Sequence, residues 1–352
     1  MSDDTKLPAG ERPNTGALAE SQRHLRLQSG KVLKYDNDYS YTSIDGGATW
    51  EQGGHLIAGG EYCPIRAHAL PNIAIQIQKG PDRGRVIIPF YLKMDGEHPD
   101  YTLDMRAGYA QWQGELTAME THTHYPEMAG AYMNLSDDDG QSWYPSGTSH
   151  RRFMMGYFDD GHLGLWSCEE PVTAELKDGR LLCFIRSTCG RILKSYSSDG
   201  GVSWTKVEAT NLAMSNSPCA LATIPGTGDL VLIWNQMSAE EIKGMYRRGR
   251  LSLAISRDDG DTWELFRTLA QSPGIETRDR IQPPPFQVMV RGGSGPDEPA
   301  DPVPDDLRHY HYSQVYFSGD GQTIHIMIPV SYPGGGLDPI WLQHPVSWLY
   351  GE

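Results

Sequence analysis

The sequence predicts an all-β protein made of repeated antiparallel sheets. Three observations lead to this fold class: the composition, a repeated turn motif and a repeated strand pattern. Of 352 residues, 39 are Gly and 24 are Pro, a share of turn-forming residues that argues against a helix bundle. Hydrophobic residues make up 38% of the chain and aromatic residues 10%, which is enough for a folded core and excludes a disordered chain.

The turn motif has the pattern Ser-x-Asp-x-Gly-x-Ser/Thr-Trp. Its four copies span Ser43 to Trp50, Ser136 to Trp143, Ser197 to Trp204 and Ser256 to Trp263. The Asp can accept hydrogen bonds from amides of its own loop, the Gly allows a positive φ, and the Trp can pack at the foot of the next strand. Each copy is therefore predicted to close a β-hairpin, with its Asp engaged in the turn and facing away from any active site. These residues are Asp45, Asp138, Asp199 and Asp258.

The strand pattern is a short apolar run that begins with a Gly turn. It occurs at Gly30 to Tyr35, Gly84 to Tyr91, Gly179 to Ile185, Gly228 to Trp234 and Gly321 to Ile328. Such runs between turn signals are typical of consecutive strands in repeated antiparallel sheets. They predict a β-propeller of four-stranded sheets, six-bladed if the two termini share a blade, with very little helix. We expect a single domain over residues 1–352, with two insertions: a site-wall loop at about 93–128 and a surface loop at about 272–308.

Charge and composition limit the partners and cofactors. The net charge of −15 disfavours a nucleic-acid partner. No basic segment followed by an apolar run opens the chain, and no stretch of 18 apolar residues occurs, so we expect no membrane association. As written, the chain is expected to be cytoplasmic, or secreted if a signal peptide preceded it. The five cysteines are odd in number and lack CxxC spacing, which indicates reduced thiols and no zinc site. We expect no cofactor.

The repeated turns resemble the Asp-boxes of the sialidase superfamily, whose members are six-bladed β-propellers. A second match begins at Glu170 and ends at Arg186-Ser187, where the spacing of the Glu and the Arg resembles a sialidase strand pair. The resemblance covers roughly residues 30–350, outside the two insertions. It implies that a tyrosine attacks the anomeric carbon, a glutamate accepts the tyrosine's proton, three arginines bind the substrate carboxylate and an aspartate acts as acid and base.

Four residues take these roles by position in the resemblance. Tyr312 corresponds to the nucleophile and Glu170 to its partner, while Arg186 and Arg248 correspond to the second and third arginines. The chemistry is coherent, because a phenol with a pKa near 10 needs a carboxylate to remove its proton. Arginine forks also suit a carboxylate, which they bind through two parallel hydrogen bonds.

The chain departs from the family pattern in three places. No Arg-Ile-Pro motif is present, so Arg23 is the expected first arginine and Arg66 an alternative. The loop that would carry the acid/base aspartate is short, which leaves Asp36 or Asp38 for that role. The glutamate that follows the tyrosine strand in the family is replaced by an apolar run at 326–329.

Histidines offer further candidates for acid and base, because their pKa lies near neutrality. His122 and His124 alternate in sequence, as do His309 and His311, and His68 lies on a predicted strand. His124 is the histidine that we favour for catalysis. Metal binding by these pairs is the less favoured interpretation.

Three functions remain open from the sequence, in this order of preference. The first is a sialidase-like exo-glycosidase that removes a terminal acidic sugar from an oligosaccharide or glycoconjugate. The second is a polysaccharide lyase that cleaves uronic-acid glycans by β-elimination, using His124 or His122 with Tyr312 and Arg186. The third is a glycan-binding propeller without catalysis, in which Trp112, Tyr125 and Trp166 would form binding platforms.

Overall fold

A computed structural model describes most of the chain. The described residues are 24–56, 67–94, 109–112, 115–118, 128–147, 154, 156–157, 165–166, 168–187, 190–238, 240–241, 244, 246, 248–283, 289–290, 304–332 and 337–351. For residues 67–71, 92–94, 109–112, 115–118, 128–129, 156–157, 165–166, 289–290 and 337 the description covers the backbone alone.

Five antiparallel sheets follow one another along the described chain and form a β-propeller. The first sheet contains β1 (His24–Arg26), β2 (Val32–Tyr35), β3 (Tyr39–Ser43) and β4 (Glu51–His55). The second contains β5 (Ala67–Pro71), β6 (Ile75–Gln76), β7 (Val86–Met94), β10 (Met128–Ser136) and β11 (Tyr144–Pro145). The third contains β14 (Glu169–Glu175), β15 (Leu181–Arg186), β16 (Arg191–Ser197) and β17 (Glu208–Ala213). The fourth contains β18 (Ala220–Thr223), β19 (Leu230–Trp234), β20 (Arg250–Ser256) and β21 (Glu264–Gln271). The fifth contains β23 (His309–Tyr310), β24 (Gln314–Phe317), β25 (Thr323–Ser331) and β26 (Leu337–Pro345), and a 3-10 helix, Val346–Tyr350, follows β26.

The predicted repeat strands are confirmed as the second strand of each of the five propeller sheets. They are β2, β7, β15, β19 and β25, and the Gly that precedes each of them has a positive φ of 70–97°. In the second and fifth sheets two short strands take the place of the first strand. β5 and β6 both pair with β7, and β23 and β24 both pair with β25. The low helix content that the composition predicts is also found in the described residues.

The four repeated turns have the predicted hairpin geometry, and each joins the third strand of its sheet to the fourth. In the third sheet, the Asp199 carboxylate accepts hydrogen bonds from Ser203 N at 2.8 Å and from Ser203 Oγ at 2.5 Å. Gly201 has a φ of 89° and donates its N–H to Ser197 Oγ at 2.9 Å. The same bonds recur at Asp45, Asp138 and Asp258. Because the second and third strands are antiparallel, the turns lie at the end of the sheets where the second strands begin.

Buried apolar clusters join neighbouring sheets in chain order. One cluster joins the first sheet to the second through Leu33 and Phe90, and the next joins the second to the third through Ile87 and Ile185. Two further clusters join the third sheet to the fourth and the fourth to the fifth. Polar bonds add to this packing at the turn end of the sheets, where the Glu175 carboxylate accepts hydrogen bonds from the amides of Gln78 and Lys79, both at 2.8 Å.

The predicted number of six blades is wrong for the described part of the chain, which contains five. The prediction required the two termini to share a blade. Instead, residues 24–55 supply all the strands of the first sheet, and β26 pairs with β25 of the fifth sheet along its whole length. The terminal strands are thus used within separate sheets. Among the described residues, no buried cluster joins the fifth sheet to the first.

The two predicted insertions meet each other in a further small sheet. It contains β8 (Tyr109–Trp112) and β9 (Glu115–Ala118) from the first insertion and β22 (Met289–Val290) from the second. Met289 pairs with Ala110. A two-stranded ribbon, β12 (Gly156–Tyr157) with β13 (Leu165–Trp166), precedes the third sheet. Among the described residues, no helix has the length and apolar character needed to span a membrane.

Candidate active site

The candidate site lies at the end of the sheets opposite to the repeated turns. Its residues stand at three kinds of position that the antiparallel topology brings to this end: the start of a first strand, the end of a second strand and the start of a third strand. Glu170 is at the start of β14, Arg186 ends β15, Arg248 precedes β20, and Tyr312 precedes β24. Three consecutive sheets therefore contribute to one site.

Tyr312 and Glu170 form the pair that the resemblance implies. The Tyr312 hydroxyl donates a hydrogen bond to Glu170 Oε1 at 2.9 Å. As a whole residue, Tyr312 keeps an exposed fraction of 37%. Burial of its hydroxyl, followed by the negative charge of Glu170, raises the pKa of Tyr312 to about 12, although Arg186 and Arg248 act in the opposite direction. The phenol is therefore protonated at neutral pH.

The local backbone at this pair is strained. Glu170 has a φ of 41° and Tyr312 a φ of 31°, values that residues other than Gly rarely adopt. In β14, the pairing register with β15 shifts between Glu169 and Val172, so Glu170 lies in a β-bulge. A bulge re-aims the side chain of the extra residue, and bulges are common beside active sites.

Arg186 is buried and holds the carboxylate of Glu170. Its Nη1 donates to Glu170 Oε2 at 2.6 Å, its Nε donates to Asn216 Oδ1 at 2.6 Å, and Glu169 Oε2 lies 3.6 Å from the same Nε. Burial alone would lower the pKa of Arg186, but Glu170 and Glu169 outweigh burial and raise it above its usual value. Arg186 is thus charged, and its Nη2 has no hydrogen-bond partner among the described residues.

Arg248 is the second guanidinium of the site. Its Nη2 donates to the main-chain oxygen of Asn216 at 3.1 Å, and its Nη1 lies 3.1 Å from Nδ1 of His311. The guanidinium carbon is 5.9 Å from the centre of the Tyr312 ring. In the described part of the chain no carboxylate pairs with Arg248, in contrast to Arg186. Its backbone, like those of Glu170 and Tyr312, has a positive φ, here 50°.

Three residues at this site were missed by the sequence analysis. Asn216 contacts both arginines, and the Asn235 side chain donates to the main-chain oxygens of Arg248 at 3.4 Å and Tyr310 at 3.0 Å. Tyr91 is buried, and burial and the charge of Glu170 raise its pKa, which indicates that its hydroxyl lies near that carboxylate. Asn235 lies just beyond the end of β19 and Tyr91 lies in the last half of β7, so both come from the later part of an apolar second strand, as Arg186 does. A polar residue or tyrosine at that position is the sequence signal that could have identified these two residues.

The other predicted site residues are not brought to the pair by the described structure. Asp36 accepts hydrogen bonds from Asp38 N at 2.8 Å, Tyr39 N at 2.7 Å and the Tyr41 hydroxyl at 3.0 Å, so its carboxylate is engaged in its own hairpin of the first sheet. Outside the described residues lie Arg23, Arg66, His122, His124 and Tyr125. His68 in β5, Trp112 in β8 and Trp166 in β13 are described by backbone alone.

Comparison with known proteins gives one family and several solved structures. The BNR repeat-like domain family matches residues 21–326. No curated protein matches the chain. The leech intramolecular trans-sialidase, solved with 2,7-anhydro-Neu5Ac, is 16% identical with a TM-score of 0.50, over 92% of this chain and 37% of the leech chain. The intramolecular trans-sialidase of Ruminococcus gnavus, solved with oseltamivir carboxylate, is also 16% identical with a TM-score of 0.50, over 91% of this chain and 52% of the other. An α-L-arabinanase of Penicillium chrysogenum is 13% identical with a TM-score of 0.46, over 92% of this chain and 80% of the other.

The first two structures share the propeller fold with this chain. The chain spans less than two thirds of the length of either of them.

Proposed function

The chain belongs to the BNR repeat-like domain family, and from this premise we propose that it is a glycosidase of the sialidase type. The proposed reaction is hydrolysis of the glycosidic bond of a terminal acidic sugar. Two solved propellers with the same fold are intramolecular trans-sialidases, which makes a sialoside the first substrate to test.

The observation that carries the proposal is the hydrogen bond from the Tyr312 hydroxyl to Glu170 Oε1. A neutral phenol is a weak nucleophile, and an adjacent base activates it by taking its proton as the new bond forms. In the proposed step, the Tyr312 oxygen bonds to the anomeric carbon, the glycosidic C–O bond breaks, the phenolic proton passes to Glu170, and a general acid protonates the leaving oxygen. Water then attacks the anomeric carbon and gives a proton to the conjugate base of that acid, the tyrosyl-sugar bond breaks, and the proton returns from Glu170 to Tyr312.

The proposed recognition of a carboxylate rests on the two arginines. Arg186 is largely committed to Glu169 and Glu170, and the atom that remains is Nη2, a buried donor whose lack of a partner is costly unless a ligand supplies one. Arg248 has no carboxylate partner in the described residues and lies beside the Tyr312 ring. A substrate carboxylate between Arg186 Nη2 and Arg248 would satisfy both guanidinium groups and place the sugar against Tyr312.

The candidates for the acid that protonates the leaving oxygen come from the sequence. Asp36 is held in its hairpin by three hydrogen bonds, which favours His124, in the first insertion, for this role. The strands that flank this insertion, β7 and β10, pair at Met94 and Met128, at the same end of the sheet as Tyr91. The insertion therefore begins and ends at the site end of the second sheet.

The test is incubation of the protein with 3'-sialyllactose, with release of lactose as the measured product. We expect lactose to be released by the unaltered chain and by Tyr316→Phe, a control at an exposed tyrosine of the same sheet. Tyr312→Phe and Glu170→Gln should each abolish most of the release. A parallel incubation with uronic-acid oligosaccharides, followed by ultraviolet absorbance, detects β-elimination.

Each remaining outcome opposes the proposal. Unsaturated product from the uronic-acid substrate would establish the lyase instead. Binding of sialyl-lactose with no product from either substrate would establish a glycan-binding propeller. Full activity of Tyr312→Phe would exclude the tyrosyl intermediate even if lactose is released.

A further inference from the structure

His311 touches the candidate site from the residue next to Tyr312, and neither the family resemblance nor the comparisons give it a role. Its Nδ1 lies 3.1 Å from Nη1 of Arg248, and its Nε2 lies 2.6 Å from the hydroxyl oxygen of Ser331. The imidazole therefore bridges the loop before β20 to the end of β25. It is the one described side chain that contacts the Arg248 guanidinium through a hydrogen bond.

The chemistry of the two partners assigns the tautomer of His311. A guanidinium carries only donors, so Nδ1 of His311 must accept the hydrogen bond and carries no proton. The single proton of the neutral ring is then on Nε2, from which it is donated to Ser331 Oγ. A doubly protonated ring would direct a donor and a positive charge at Arg248, which the distance of 3.1 Å does not allow.

The surroundings of His311 agree with a neutral ring. Burial, followed by the charge of Arg248 and then by His309, lowers the pKa of His311 to about 4. His309 faces it edge-on with ring centres 5.7 Å apart, and the His311 main-chain N–H donates to the oxygen of Pro329 at 2.9 Å. Arg248 and His309 are the ionisable side chains that meet the ring, and no carboxylate among the described residues is in contact with it.

The main chain on both sides of this contact is fixed independently. Tyr310 donates its N–H to the oxygen of Arg248 at 3.0 Å, and the Asn235 side chain bonds both of those segments. Ser217 in turn donates to Asn235 Oδ1. The backbone of Arg248 is thus held relative to the segment of Tyr312, and the direction of its guanidinium is set separately, by the main-chain oxygen of Asn216 at Nη2 and by His311 at Nη1.

We propose that His311, as the neutral Nε2–H tautomer, is a positioning residue that orients the guanidinium of Arg248 toward the substrate carboxylate. This inference rests on the proposed function for its substrate, but the orientation of Arg248 by His311 is a property of the free protein. His311 therefore acts through Arg248 and does not touch the sugar.

The experiment compares His311→Asn with His311→Leu. The Asn side chain keeps an acceptor at the position of Nδ1, whereas Leu keeps the bulk and removes the acceptor. With 3'-sialyllactose, we expect His311→Leu to raise KM about tenfold with kcat within about threefold, and His311→Asn to restore KM to near the unaltered value. Equal kinetic losses in the two variants, or a loss confined to kcat, would overturn the positioning role.

A second measurement does not depend on activity. In 15N-labelled protein, we expect the ring signals of His311, assigned by their absence in His311→Asn, to show an Nε2–H tautomer that stays neutral from pH 7 to pH 5. The guanidinium signals of Arg248, assigned with Arg248→Lys, should broaden in His311→Leu and remain sharp in His311→Asn. A proton on Nδ1, or Arg248 signals that are unchanged in His311→Leu, would overturn the inference.

Because these spectra need no substrate, they separate the two proposals. Absence of turnover with the tautomer and the Arg248 signals as expected would remove only the proposed function.

Discussion

The hydroxyl of Tyr312 donates a hydrogen bond to the carboxylate of Glu170 at 2.9 Å, and the backbone of both residues has a positive φ. A non-Gly residue in this conformation costs on the order of 1 to 3 kcal/mol, which the surrounding structure must supply. The two strained residues lie 142 positions apart in sequence and belong to different sheets. The strain at both ends of one hydrogen bond is therefore a property of the assembled propeller and cannot arise from either strand alone.

Tyr312→Phe tests the proposed nucleophile directly. The substitution removes only the hydroxyl of a partly exposed residue, so we expect the free energy of unfolding to change by about 1 kcal/mol or less. The rate of lactose release from 3'-sialyllactose should fall at least about 1,000-fold, because no other described hydroxyl donates a hydrogen bond to Glu170 Oε1. Urea denaturation and initial rates check the two expectations. A fall of less than tenfold would contradict the assignment.

Glu170→Gln tests the proposed base while keeping the shape of the side chain. We expect the rate of lactose release to fall about 100- to 10,000-fold, since the amide cannot take the proton of Tyr312. The matched control is Glu175→Gln, at the other end of the same strand, where the carboxylate accepts hydrogen bonds from Gln78 and Lys79. The control should lose stability and keep its rate per folded molecule, as measured by initial rates and urea denaturation. Equal kinetic losses at both positions would mean that the effect is structural.

Arg186→Lys removes a buried guanidinium that contacts two carboxylates and one amide oxygen. A lysine cannot make these bonds together, so Glu169 and Glu170 would be left as a poorly compensated buried pair. We expect a loss of about 3 to 5 kcal/mol in the free energy of unfolding. Arg267→Lys is the control, because among the described residues the Arg267 guanidinium donates to the main-chain oxygens of Trp348 and Leu349 and lies over the Trp348 ring, with no carboxylate in contact, and this variant should lose about 1 kcal/mol. Urea denaturation measures both, and similar losses would contradict the role given to the carboxylates.

The repeated turns predict a dependence of stability on pH. Burial alone would raise the pKa of Asp199, but hydrogen bonds from Ser203 and Ser197 outweigh it and lower this pKa below the usual value. The unfolded chain therefore binds more protons than the folded one at acidic pH. The stabilisation is present above the unfolded pKa near 3.9 and is lost as pH falls through the lower folded pKa.

Asp199→Ala is the variant that measures this contribution. At pH 7 we expect it to lower the free energy of unfolding by about 1 kcal/mol, a value reduced by the solvent exposure of the turn. The difference from the unaltered protein should shrink as pH is lowered below about 4. Urea denaturation across that range checks the trend, and a difference that stays constant with pH would contradict it.

The regular parts of the propeller were predictable because their determinants are local. A Gly turn, an apolar run and the Ser–Asp–Gly–Trp turn each act within about ten residues, so the second strands and the hairpins could be located directly. The number of blades could not, because it depends on which strand pairs with the terminal ones. Residues 24–55 form a complete four-stranded sheet, because β1 pairs with β2 and leaves no position in that sheet for a strand from the other end of the chain.

At the site, the four residues placed by resemblance are brought together, but the contacts between them depend on distant parts of the chain. Arg186 was expected to bind the substrate, and the structure commits most of its donors to Glu169, Glu170 and Asn216. Asn216 carries no sequence signal of its own, and the sequence signal for Asn235 is only its position directly after β19. Both asparagines matter because they hold segments from different parts of the chain: Asn216 bonds both arginines, and Asn235 bonds the main chain at Arg248 and Tyr310.

The fact that Glu170, Arg186, Arg248 and Tyr312 all lie between residues 170 and 312 has an evolutionary consequence. These four residues belong to the third, fourth and fifth sheets, whereas the first insertion belongs to the second sheet and meets the second insertion through β8 and β22. Loops of this kind can change in length and sequence without altering the strands that hold the Tyr–Glu pair. If the proposed function holds, descendants of such a protein could therefore acquire preferences for different sugars while the proposed bond-breaking step is inherited unchanged.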